Sequence, residues 1–140
     1  MVSNYRQGSR ARIAVSALLI GLLAVLAPTP PVHAATFTVS TFAALQSAVN
    51  SPSPVTVVLA ADITSTGTGL TLPTGSDVTL DLNGHTLTLT GGADQAGIRT
   101  SRASLTIEAT GGGTINATGG RFGSGVGGAR FGPGGTTTVN

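Results

Sequence analysis

The sequence predicts an all-β chain, a parallel β-helix of short strands whose start is closed by one helix, and three observations lead there. From Val55 onward no helical periodicity appears, and short alternating strands separated by Gly-containing turns follow one another. Those strands repeat, because Val55-Thr-Val57, Val78-Thr-Leu80 and Leu105-Thr-Ile107 are one tripeptide at spacings of 23 and 27 residues. Two more registers run in parallel with it. One joins Asp62-Ile63-Thr64, Thr86-Leu87-Thr88, Thr114-Ile115-Asn116 and Thr138-Val139-Asn140 at spacings of 24, 28 and 24; the other joins Gly69-Leu70, Gly97-Ile98 and Gly125-Val126 at 28 and 28. Three strands recurring in fixed order with a period in the twenties is the signature of a solenoid whose coils turn three corners each.

The elements follow in order. Residues 1–34 read as a secretory signal peptide: Arg6, Arg10 and Arg12 supply positive charge, Ile13 to Ala27 an apolar run, and Val32-His33-Ala34 a small-residue exit, with cleavage expected between Ala34 and Ala35. Pro28, Pro30 and Pro31 end the apolar helix and extend the chain toward the peptidase. A retained anchor is the competing reading, but about 15 apolar residues fall short of the roughly 20 that cross a bilayer. The protein is thus expected to be secreted or held at the cell surface, meeting the membrane only through this segment.

Residues 35–54 read as a strand and a capping helix. Thr36 to Val39 alternates, and Ser40 or Thr41 caps a helix to about Asn50 with Phe42, Leu45 and Val49 on one face. Asn50-Ser-Pro-Ser-Pro54 stops it. Residues 55–140 are the coils, with apolar residues inward, threonines outward and Gly or Asx at corners. The chain stops at Asn140 in mid-strand without a polar cap, so the expectation is an intact protein with further coils. Asn83-Gly84, between Val78-x-Leu80-x-Leu82 and Leu87-x-Leu89, is also a hairpin signal, and it supports an alternative antiparallel meander or sandwich. Gly112-Gly113, inserted at the aligned corner, fits a variable solenoid turn better.

Charge excludes one class of function. The 140-residue chain carries seven Arg and Lys against five Asp and Glu, a formal +2. Three arginines depart with the signal, leaving Arg99, Arg102, Arg121 and Arg130 against Asp62, Asp77, Asp81, Asp94 and Glu108, a net −1. No nucleic-acid partner is expected of such a chain. There is no cysteine, hence neither a disulfide nor a lipoprotein anchor.

Leu80-Asp-Leu-Asn-Gly-His-Thr-Leu87, Gly97-Ile98, Leu105-Thr-Ile107 and Gly113-Thr-Ile115 resemble secreted bacterial right-handed parallel β-helix proteins of the pectate-lyase-like superfamily. Gly125-Val-Gly-Gly128, within Gly120 to Gly135, is similar to the Gly-rich repeats of a non-catalytic subset of surface proteins. The resemblance spans Thr36 to Asn140 and implies the fold; many functions use that scaffold.

Candidate chemistry is sparse. Asp81 and Glu108 occupy equivalent outward positions one coil apart, so their carboxylates can stand about 5 Å from each other. Such a pair can bind a cation or divide acid and nucleophile roles on a sugar. Asp62, Asp77, Asn83 and His85 are the other candidates nearby, and the bland reading of all of them is solvated surface and turn. Gly111 to Gly135 holds no Asp or Glu, so it is not a calcium β-roll, nor is it a phosphate loop. Asn116 pairs with Asn140 as an expected stacked polar corner. Thr86-Leu-Thr-Leu-Thr90 and Thr136-Thr-Thr138 raise ice binding, against which threonine is simply a good exposed strand residue.

No cofactor and no metal site is expected. The sequence reads as a non-catalytic surface or matrix protein whose partner is a polysaccharide or a cell-surface protein. The alternative is the N-terminal fragment of a secreted polysaccharide lyase or glycosidase.

Overall fold

Alternation of apolar and polar residues decides which segments become strands and which way each side chain faces. The computed structural model describes residues 33–140; the expected export signal, apart from His33 and Ala34, lies outside the described residues. Strand β1, Ala35–Val39, leads into helix α1, Phe42–Val49. Three strands follow, β2 (Val55–Leu59), β3 (Ile63–Thr66) and β4 (Leu70–Thr71). The same triplet recurs as β5 (Asp77–Asp81), β6 (Thr86–Thr90) and β7 (Ile98–Arg99), then as β8 (Ser104–Glu108), β9 (Thr114–Thr118) and β10 (Val126–Gly127). Strand β11, Thr136–Val139, opens the next.

Every strand pair among the described residues is parallel. The first sheet is ordered β1-β2-β5-β8-β11, the second β3-β6-β9 and the third β10-β7-β4. From β2 onward successive strands in the chain therefore belong to different sheets, and each lies on its counterpart one repeat away. The three registers read from the sequence hold for Val55↔Val78↔Leu105, Ile63↔Leu87↔Ile115 and Leu70↔Ile98↔Val126. The fold is all-β with one short helix and parallel sheets.

One alternative falls and one expectation is corrected. The hairpin at Asn83-Gly84 does not form, since β5 pairs with β2 and β8, and β6 with β3 and β9. Asn83 and Gly84 do take the left-handed φ values of 47° and 82° that such a turn needs, but they use them to round a corner between sheets. The corrected expectation concerns Thr138-Val139-Asn140, whose spacing places it beside Ile115. It joins the first sheet instead, with Val139 opposite Ile107 and the Asn140 N–H donating to the Ile107 carbonyl at 3.0 Å. The reason is sequential: β10 at Val126 occupies the third sheet, so the next strand must be in the first. Asn116 and Asn140 consequently do not stack; Asn116 Nδ2 donates to Thr88 Oγ1 at 3.5 Å.

Inward residues form stacked columns. Val57, Leu59, Val78, Leu80, Leu87, Leu89, Leu70 and Ile98 are completely buried, and Leu105 and Ile107 nearly so. Burying a side chain of this size stabilises the fold by about 1.5 to 3 kcal/mol. Glycine is required where successive repeats approach most closely. A Cβ on Gly97 would lie 2.8 Å from the Thr118 amide nitrogen and 2.9 Å from the Gly125 carbonyl oxygen, so the third-sheet corner admits no side chain there.

Helix α1 begins as expected. Thr41 Oγ1 accepts the Ala44 N–H at 3.2 Å, capping the first turn. Leu45 and Val49 are fully buried, Ala48 nearly so, and Phe42 packs half-buried against the same core. The helix also closes a sheet edge. Gln46 Oε1 accepts the Thr71 N–H at 2.9 Å while its Nε2 donates to the Thr71 carbonyl at 2.7 Å. One side-chain amide thus satisfies both backbone groups that a neighbouring strand would have met on β4, the last strand of the third sheet. Among the described residues no helix is long and apolar enough to cross a membrane.

Candidate functional site

Asp81 and Glu108 end β5 and β8 in direct register, as their spacing implied. What the sequence did not reveal is how Asp81 is used. Its Oδ1 accepts the Asn83 N–H at 2.9 Å and the Thr110 N–H at 3.0 Å, so the carboxylate fastens its own turn and the turn of the next repeat. Backbone amides on a carboxylate oxygen are charge-assisted bonds that hold the group in place. Glu108 makes no side-chain hydrogen bond among the described residues. The register brings the two residues side by side, but only one carboxylate is left to face solvent chemistry.

The other nominated residues are fasteners too. Asp62 Oδ1 accepts the Thr86 N–H at 2.8 Å, and His85 Nδ1 stands 3.5 Å from the same oxygen. Asn83 Nδ2 donates to the Leu59 carbonyl at 3.0 Å. The Asp77 N–H donates to Ser53 Oγ at 2.6 Å, and that hydroxyl donates to the Asp77 carbonyl. The Ser53–Asp77, Asn83–Leu59 and Asp62–Thr86 bonds each link residues 24 positions apart and the Asp81–Thr110 bond 29, one repeat to the next. His85, expected to lie exposed beside its turn, is half-buried against Asp62. Among the described residues no three His, Cys, Asp or Glu side chains gather where a metal ion could be held.

A different place on the molecule concentrates exposed recognition groups. An open cleft of about 590 Å³ is lined by Phe122, Ser124, Gly128, Ala129, Arg130, Phe131 and Gly132. Its volume lies in the range of ligand pockets, roughly 300 to 1,000 Å³. Phe122 and Phe131 are 53% and 93% exposed, the two large aromatic groups the fold leaves in water among the described residues. Within it the Arg130 guanidinium lies 4.6 Å from the Phe122 ring and 4.7 Å from Phe131, and Arg121, which is not a lining residue, lies 5.2 Å from Phe122. These are cation–π distances. Asp94 anchors the row, with Oδ1 3.6 Å from Arg130 Nη1 and its carbonyl accepting the Arg130 N–H at 3.2 Å.

Phe131 adopts φ = 57°, a left-handed conformation that a bulky side chain rarely takes. Strain of this kind concentrates at ligand sites, where the surrounding structure holds a side chain in place. None of these four residues was nominated from the sequence. The signal that could have found them is a repeated tripeptide, Arg121-Phe-Gly123 and Arg130-Phe-Gly132, nine residues apart in a chain with few aromatics.

No known protein family, curated protein or solved structure matches the chain.

Proposed function

We propose that the chain is an exported, non-catalytic right-handed β-helix, a surface or matrix component that holds a polysaccharide in the Arg–Phe cleft. The observation that carries this reading is the pair of exposed phenylalanine rings with Arg130 between them in one open cleft. A ring face presents an apolar platform to the C–H face of a sugar, and a guanidinium offers planar donors to hydroxyl or carboxylate oxygens. The solenoid reading draws support from the triplet order of strands through three parallel sheets. Right-handedness accords with the rule that crossovers between parallel strands of one sheet take that hand in about 98% of cases. Export rests on the tripartite N-terminus.

The N-terminal fragment of a lyase or glycosidase is the second reading, and the register of Asp81 with Glu108 is what favours it. The commitment of Asp81 to two backbone amides weighs against it.

Electrophoresis through native gels containing pectin, alginate or soluble chitin tests both readings. Retardation in at least one gel, lost in Phe122→Ala/Phe131→Ala, is the expected result. Equal mobility of the two proteins in every gel would refute the binding reading. Polysaccharide cleavage that disappears on Glu108→Gln would establish the enzymatic one.

A further inference from the structure

Arg130 is the one charged residue among those that line the Arg–Phe cleft. Its guanidinium lies over Phe122 and Phe131 at 4.6 and 4.7 Å, and its Nη1 stands 3.6 Å from Asp94 Oδ1. The Arg130 N–H also donates to the Asp94 carbonyl at 3.2 Å. One aspartate, in the corner between β6 and β7, thus holds both the backbone and the side chain of Arg130. Both partners are about half exposed, and an ion pair in that setting contributes little to stability. Its consequence is local charge. A carboxylate beside the guanidinium offsets the field that would draw in an anion, and it repels any second carboxylate brought to the same group.

The rest of the lining is uncharged, and Ser124 Oγ is already spent on the Gly128 carbonyl at 3.0 Å. The two rings differ as platforms. Phe122 is 53% exposed and has the guanidinium groups of Arg121 and Arg130 over it, whereas Phe131 is 93% exposed and has Arg130 alone. Phe131 is therefore the ring with a face to spare. An aromatic face takes the flat C–H face of a sugar whose hydroxyls are equatorial, with no ligand charge to desolvate. The Arg130 N–H groups turned away from Asp94 are donors for the hydroxyl oxygens.

We propose that the cleft selects neutral polysaccharides, with Phe131 as the stacking platform and Asp94 as the residue that turns acidic chains away by keeping Arg130 charge-compensated. This rests on the reading of the cleft as a polysaccharide site and adds the class of chain it accepts.

Affinity electrophoresis in gels containing glycol chitin, xyloglucan, polygalacturonate or alginate tests it, each protein's mobility being referred to its own mobility in a polymer-free gel. Wild-type protein should be retarded more strongly by a neutral polymer than by either acidic one, and Phe131→Ala should abolish that retardation. Asp94→Asn is the sharper arm. Asparagine tolerates the left-handed φ of 62° at this position and keeps the carbonyl that accepts the Arg130 N–H, while the charge is gone. Its affinity for polygalacturonate should rise about threefold or more, the scale of one exposed charge pair. A gain of this kind does not arise from misfolding. Asp94→Asn/Arg130→Gln should lose the gain, and Thr64→Lys, the same change of net charge on exposed β3, should not show it. Wild-type protein unretarded by every polymer would refute the polysaccharide reading and this proposal with it. Wild-type protein that binds but holds the acidic polymers as tightly as the neutral ones would overturn this proposal alone, as would an Asp94→Asn variant that gains nothing on them or gains no more than Thr64→Lys.

Discussion

A carboxylate on a sheet surface either stays in water and serves a ligand or turns back on the backbone, and Asp81 has taken the second course. Its two amide bonds join adjacent turns, so the same aspartate that looks catalytic by position is structural by contact. Asp81→Ala is expected to lower stability by about 1.5 kcal/mol, the scale of hydrogen bonds to a charged acceptor. Glu108→Gln, which breaks no such bond, should change it by less than about 0.5 kcal/mol. Urea unfolding of the three proteins checks this. The adjacency of the two residues was legible because strand spacing fixes register; the hydrogen bonds were not, because they depend on a rotamer. The Arg–Phe row was missed for another reason. Four aromatics in the segment after the signal read as a meagre core, and only the three-dimensional corner shows that two of them stay outside it.

At the scale of elements, α1 does more than cover apolar surface. Gln46 meets Thr71 as a strand would, which ends the third sheet at β4. Gln46→Ala should therefore cost about 1 to 2 kcal/mol for two lost bonds. It should also speed amide exchange at Thr71, whereas Gln46→Glu, which keeps an acceptor for that N–H, should protect it partly. Hydrogen exchange followed by mass spectrometry reads both. The helix was legible from its cap and its apolar spacing, and strands β2 to β9 from alternation that repeated. Strand β11 was placed in the wrong sheet because Gly120 to Gly135 contains one aliphatic landmark, Val126, and counting between single apolar residues cannot tell which corner a glycine turns. At Asn83-Gly84 a hairpin and a corner between sheets competed in the sequence, and the corner, which the inserted Gly112-Gly113 favours, is what forms. The φ values are those of a hairpin turn, yet the strands on either side pair with neighbouring repeats and not with each other.

For the molecule as a whole, one rule organises everything above: each strand lies in parallel register on its counterpart one repeat back. It stacks the leucines, brings Asp81 beside Glu108 and leaves the Gly-rich corner to display arginine and phenylalanine. The rule can be tested by cross-linking, since the chain has no cysteine of its own. Thr79 and Thr106 are register partners 27 residues apart, at the strand separation of about 4.8 Å that a disulfide can bridge. Thr79 and Thr88 would be partners instead if the chain folded back at Asn83-Gly84 as a hairpin. Under mild oxidation, Thr79→Cys/Thr106→Cys is predicted to form an intramolecular disulfide in the folded protein while Thr79→Cys/Thr88→Cys stays reduced. A disulfide in the second pair and none in the first would contradict the account.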